Sequence, residues 1–64
     1  MTRKLIRRQE VEAMTGLCRS TIYLLMKRDQ FPKSIKVGER SVRWDQSEVN
    51  NWIDERVAKR DQEN

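Results

Sequence analysis

Histidine is absent from this sequence, and cysteine occurs once, as Cys18. The usual zinc sites draw on Cys and His, so none can be assembled within one chain, and no metal is expected. A Cys–His nucleophile pair is excluded on the same ground. One cysteine also rules out an internal disulfide. A secreted domain of this size normally needs such staples, so a reducing, cytoplasmic setting is expected. Glycine occurs twice, as Gly16 and Gly38, too few for a loop that cradles phosphates. No cofactor or small-molecule ligand is expected. Long apolar runs are missing as well. Nothing approaches the ~18 residues that a membrane span requires. No apolar segment follows the basic start "MTRKLIRR", as a signal peptide would demand.

What the chain has in quantity is charge: 38% of its 64 residues are Asp, Glu, Lys or Arg, against 36% hydrophobic. That allows one small domain over 1–64, with 1–6 and 61–64 expected to fray, and a core of about a dozen side chains. A deep substrate cleft has no room, so an enzyme is not expected. The charge is also uneven. Residues 1–44 hold 11 basic and 4 acidic residues, net +7, whereas residues 45–64 hold 3 basic and 6 acidic, net −3. A polyanion-binding face is therefore expected from the first two-thirds of the chain.

The hydrophobic pattern gives the elements. "RRQEVEAM" (7–14) reads as a short helix with Val11 and Met14 inward and no good N-cap before it. Gly16 supplies the left-handed turn after it. The next helix runs from Arg19 to Arg28, with Cys18, Ile22, Leu25 and Met26 on one face and Arg19, Ser20, Tyr23, Leu24 and Lys27 on the other. Pro32 cannot continue that helix, and Phe31 before it is pushed toward extended geometry. In "SIKVGERSVRW" (34–44) the period becomes two, which predicts a two-stranded hairpin turning at Gly38. "DQSEVNNWIDERVAKR" (45–60) reads as a third helix, with Asp45 and Glu48 at capping-box spacing and Val49, Trp52, Ile53 and Val57 as its stripe. The expected core is Val11, Met14, Leu17, Ile22, Leu25, Met26, Phe31, Ile35, Val37, Val42, Trp44, Val49, Trp52 and Ile53. Helix, turn, helix, basic hairpin, helix is the order of a winged helix-turn-helix, mainly α with a small β-hairpin.

In such a domain the second helix offers its N-terminal half to the major groove. Here that presents Arg19, which can fork onto guanine O6 and N7, then Ser20 and Tyr23, with Lys27 a turn further on for the backbone. The alternative is a solvated polar face on two packed helices. The hairpin carries Lys36, Arg40 and Arg43 away from the core, suited to phosphates or, for Arg40 at the tip, a minor groove. Alternatively, such charges protect a strand edge from aggregation. Arg7, Arg8, Arg28 and Lys33 are further candidate phosphate contacts; Arg3, Lys4, Arg7 and Arg8 form a basic cluster that reads either as a flexible arm on phosphates or as a solubilising disordered end. Trp44 and Trp52 lie at core positions and are read as core, not as base-stacking platforms. Asp54 and Glu55 point in different directions and form no catalytic carboxylate pair. Cys18 has neither a base nor a partner thiol; it sits where a cap would be and is read as a poor substitute for a hydroxyl.

The segments "EVEAMTGLCRSTIYLLMK", "FPKSIKVGERSVRW" and "SEVNNWIDER", spanning about residues 5–57, resemble the AlpA family of prophage and genomic-island regulators. These are MerR-like winged-helix DNA-binding proteins related in architecture to phage excisionases. The combination of the T-G-L-x-R-S-T-I-Y, F-P-K and S-E-V-x-x-W-I blocks carries the resemblance; singly each is weak. It implies double-stranded DNA as partner and a role as transcriptional regulator of an integrase gene, or as recombination directionality factor that assists an integrase. Carried over by position, Arg19, Ser20, Tyr23 and Lys27 form the reading helix, and Arg40 with Arg43 the wing. Two positions depart from the family pattern: Cys18 stands where Ser is usual, and Leu24 where a basic or polar residue is common. Leu24 leaves the DNA site and assembly open. The competing expectation is a small interaction module that docks an integrase or transcription component through the acidic third helix or Leu24. Self-association on DNA is expected, because one chain covers at most about one turn of duplex.

Overall fold

The computed structural model describes residues 3–63. The order is β1 (Leu5–Ile6), α1 (Arg8–Thr15), α2 (Arg19–Lys27), β2 (Ile35–Lys36), β3 (Val42–Asp45) and α3 (Gln46–Glu63). The fold is mainly helical with a small antiparallel sheet, compatible with a winged helix-turn-helix. The sheet has three strands in the order β1-β3-β2, one more than the expected hairpin. Leu5 pairs with Asp45 and Ile6 with Trp44, while Ile35 pairs with Arg43 and Lys36 with Val42.

The N-terminal strand corrects the expectation that residues 1–6 fray. Within the described part, Ile6 is 1% exposed and belongs to the core, and Arg3 reaches the Asp45 carboxylate at 3.0 Å instead of extending as a free arm. Met1 and Thr2 lie outside the described residues. The far end departs the same way: α3 continues past 60 to Glu63, and Asn64 lies outside the described residues.

Local chemistry explains the boundaries. Arg7 is the extended N-cap of α1, and its backbone N–H donates to Glu10 Oε1 at 3.3 Å, so a glutamate at the third helical position supplies the cap. The helix ends as Gly16 enters the left-handed region at φ 75 and donates its N–H to Glu12 O. Thr15 Oγ1 donates to Val11 O and accepts from Leu17 N–H, which closes the turn into α2. At the end of α2, Asp29 takes a left-handed φ of 57 while its N–H donates to Met26 O and that of Gln30 to Leu25 O. Asp45 then ends β3 and caps α3. Its Oδ1 accepts from the Ser47 N–H at 2.9 Å and the Ser47 hydroxyl at 2.6 Å.

Six buried apolar residues form the core, namely Ile6, Val11, Ile22, Phe31, Trp44 and Val49. Met14, Leu17, Leu25, Met26, Val42, Trp52 and Ile53 pack against them half-buried. Three expectations need correction. Val37 is 49% exposed, because β2 stops at Lys36 and the chain is already turning, with the Val37 N–H donating to Ser41 O. Cys18 is exposed rather than on the inward face, because it precedes the helix and does not share its periodicity. Val57, the last residue of the α3 stripe, is 43% exposed, since the body of the domain ends before that turn.

The two glycines should respond differently to substitution. A Cβ at Gly16 would meet nothing within 4 Å, so Gly16→Ala should cost about 1–2 kcal/mol through left-handed backbone strain alone. Gly38 lacks a positive φ and a Cβ there meets only Ser41 at 3.6 Å, so Gly38→Ala should leave the urea midpoint almost unchanged. Equal losses at both positions in urea melts would contradict this assignment. Asp45 should govern the acid limb. Hydrogen bonding from the Ser47 hydroxyl lowers its carboxyl below the ordinary 3.8, despite burial, which acts the other way. Its stabilising contribution is complete above the unfolded value of about 3.9 and is lost as pH falls through the lower folded value. Asp45→Asn should therefore be less stable near neutrality and show a flatter acid limb in thermal melts.

Candidate nucleic-acid interface

The polar face of α2 is built from the inside. Tyr23 lies edge-on to the fully buried Trp44, with ring centroids 6.3 Å apart at 67°. Over the outer side of the Tyr23 ring sits the Arg19 guanidinium, 5.8 Å from its centroid. A buried strand residue thus positions an aromatic residue, which in turn restricts an exposed cation one helical turn earlier. Ser20, Leu24 and Lys27 continue the same exposed face. The nine residues of α2 span about 13 Å, comparable to a major-groove width.

Cys18 caps this helix from an extended conformation without completing a side-chain cap. Its sulfur sits 3.3 Å from Ser20 Oγ and 3.2 Å from Thr21 Oγ1. Those hydroxyls, Ser20 foremost, draw the thiol down to about 7 from an ordinary 9.0. Ser20 is therefore engaged locally as well as exposed on the α2 face.

The wing is the β2–β3 pair with its connecting residues 37–41. Lys36 and Arg40 are exposed, as expected. Arg43 is half-buried and folded back, its Nη1 donating to Val42 O at 2.8 Å. The other candidate phosphate contacts separate into two groups. Arg7 and Arg28 are exposed, Arg7 beside the wing and Arg28 at the C-terminus of α2. Arg8 is paired with Glu12 at 3.1 Å, and Lys33 with Asp29 at 2.7 Å and with Met26 O at 2.6 Å. Lys33 is thereby held at the end of α2. Among the described residues, no carboxylate pairs with Arg7, Arg19, Lys27, Arg28, Lys36, Arg40 or Arg43.

Sequence reasoning missed two features. Gln9 and Ser41 lie in the depression between α1 and the wing, where no periodic signal marks them. Trp44 and Trp52, correctly placed at core positions, also act as polar anchors. Their indole N–H groups donate to Pro32 O at 3.2 Å and Gln30 O at 2.7 Å, and so fix the turn that follows α2.

No helix among the described residues is long and apolar enough to cross a membrane. Residues 4–57 match the family described as "Prophage CP4-57 regulatory protein (AlpA)". The chain is also 40% identical over 57 residues to the "Uncharacterized protein ORF88" of Enterobacteria phage P4. That match covers 89% of this chain and 65% of the phage protein.

Cys18 should alkylate with iodoacetamide along a curve whose midpoint lies near pH 7, well below an unperturbed thiol. The lowered value means that its contribution to stability is complete above the ordinary value of 9.0 and is lost as pH falls through about 7. Cys18→Ser should raise the denaturation midpoint at neutral pH, because a hydroxyl caps better than a thiol. A midpoint near the unfolded value in the alkylation series would refute the hydroxyl contacts.

Proposed function

The chain belongs to the AlpA family of prophage regulatory proteins, and from that premise we propose that it is a sequence-specific double-stranded DNA-binding regulator of a prophage or genomic island. The observation that carries this reading is the exposed stripe Arg19, Ser20, Tyr23 and Lys27, anchored through Tyr23 to Trp44 and, among the described residues, without carboxylate partners for its cations. In the proposed complex α2 enters the major groove, Arg19 reads guanine, and Ser20 and Tyr23 contact base or phosphate. Lys36, Arg40 and Arg43 follow the flanking backbone or the minor groove, and Arg7, Arg8 and Arg28 add phosphate contacts. Lys33 contributes only once released from Asp29. Metals, cofactors and catalysis have no part in this function, and it belongs to the cytoplasm.

A regulator of this kind serves transcription, excision of the element with an integrase as partner, or both, since each requires the same specific binding. One domain with a nine-residue reading helix covers little duplex, so useful specificity calls for several copies side by side. The net +7 of residues 1–44 against −3 of residues 45–64 suits contact between neighbouring copies. The exposed Leu24 and Val57 favour a second reading, a module that docks an integrase or transcription component.

A mobility-shift titration across salt concentrations separates these readings. Binding to a duplex should weaken steeply, with a log–log slope of about −0.9 for each phosphate neutralised. Arg19→Ala should lose about 1–3 kcal/mol on the preferred site and relax discrimination at a single base pair. Equal losses on all sequences would reassign Arg19 to the backbone. Absence of binding to any duplex, with an integrase pull-down that survives neutralisation of the basic face, would replace the DNA reading with the docking one.

A further inference from the structure

The start of α1 and the wing, far apart in the chain, enclose a shallow depression of 280 Å³. Arg7, Arg8 and Gln9 line it from one side, and Arg40, Ser41 and Arg43 from the other. Four arginines from two separate elements thus line one concavity, and among the described residues no carboxylate lines it. Two acids of α1 are engaged locally: Glu12 Oε2 accepts from Arg8 Nε at 3.1 Å, and Glu10 Oε1 from the Arg7 backbone N–H at 3.3 Å. Arg43 is oriented by its bond to Val42 O. Arg8 and Arg43 are therefore held with one N–H engaged and the rest of their five donors unspent. Arg7 and Arg40 are exposed, and no ion pair engages either among the described residues. Crowding like charges costs energy unless an anion sits among them. The planar fork of arginine matches phosphate oxygens in particular.

We propose that this depression seats a single phosphate group of the DNA backbone, held jointly by the first helix and the wing. The inference rests on the DNA-binding reading and sharpens it. Arg7 and Arg40 do not contact independent phosphates; they close on the same one from opposite sides. A phosphate there sets how the wing sits relative to the helix-turn-helix, because it engages both at once. Ser41 and Gln9 supply neutral donors at its rim.

Two measurements test this. In the first, inorganic phosphate is titrated into the free protein and followed by backbone amide shifts. Arg7, Arg8, Gln9 and Ser41 should move along one saturation curve, while Arg28 and Lys36 stay still, and the response should vanish in Arg7→Gln/Arg40→Gln. In the second, the duplex site that the wild-type protein selects from a random pool is rebuilt with single methylphosphonates, each removing one phosphate charge. One position should weaken the wild-type protein about tenfold. That same position should have almost no further effect on Arg7→Gln or on Arg40→Gln. The double variant should lower the salt slope by about one phosphate equivalent, not two. Sensitivity lost at two different positions would overturn the proposal, as would phosphate shifts spread evenly over the basic residues. If no duplex is selected at all, the DNA-binding reading fails, and the phosphate titration alone then decides whether the depression is an anion seat.

Discussion

A buried indole organises this domain. Trp44 has no exposed surface, pairs in the sheet with Ile6, and lies against Tyr23 of α2. An indole N–H buried without a partner is costly, so its donor must be met, and Pro32 O meets it at 3.2 Å. That bond fixes the segment leaving α2 at Pro32, beyond the end of the helix at Lys27 and the left-handed turn at Asp29. From the other side Trp52 donates to Gln30 O, and Phe31 packs edge-on to Trp52 with centroids 4.9 Å apart. The turn between α2 and the wing, with no regular structure of its own, is thus held by two tryptophans on different elements. Aromatic pairs of this sort add about 0.5–1.5 kcal/mol beyond burial. In a domain whose buried apolar core is six residues among those described, that is a sizeable share of the whole stability.

Asp45 is the second junction. It ends β3, pairs with Leu5 across the sheet, caps α3 and accepts from Arg3. The Gln46 N–H donates to Lys4 O, so the N-terminal segment is stitched to the first turn of the last helix. A carboxylate 2% exposed is tolerable only because its oxygens are met by the Ser47 hydroxyl and amide and by a guanidinium. Strand β1 exists for the same reason. Two residues form no stable strand alone, but here one edge of β3 pairs with them and the buried Asp45 carboxylate holds the neighbouring Arg3.

That dependence explains how much of the fold could be read from the sequence. The α2 face, the Gly16 turn, the burial of Trp44 and the basic hairpin follow from period, glycine placement and proline, all local signals. Leu5–Ile6 gave no such signal: its partners lie some forty positions away in the chain, and basic residues surround it. Val37 continued an alternation that the backbone abandons after Lys36. Cys18 matched the helical spacing of Ile22, yet caps precede the helix and escape its periodicity. Of the candidate site, the stripe from Arg19 to Lys27 was legible as an exposed face. The meeting of Arg7 with Arg40 was not, because it depends on where the wing docks.

Ion pairing further divides the basic residues by task. Arg3, Arg8 and Lys33 each have a carboxylate within 3.1 Å, and each lies at a junction: β1 with the start of α3, the first turn of α1, the end of α2. At exposed positions such pairs contribute little energy, so their effect is mainly to orient. Arg7, Arg19, Lys27, Lys36 and Arg40 have no such partner among the described residues, and they lie on the surfaces of α1, α2 and the wing proposed to meet DNA. Their mutual repulsion works against a small core, while half of the acidic residues that would relieve it lie in α3. An anion bound to that face removes the repulsion, so the proposed ligand would also stabilise the fold by mass action. The repulsion that works against the fold is then concentrated on the surface proposed to bind DNA.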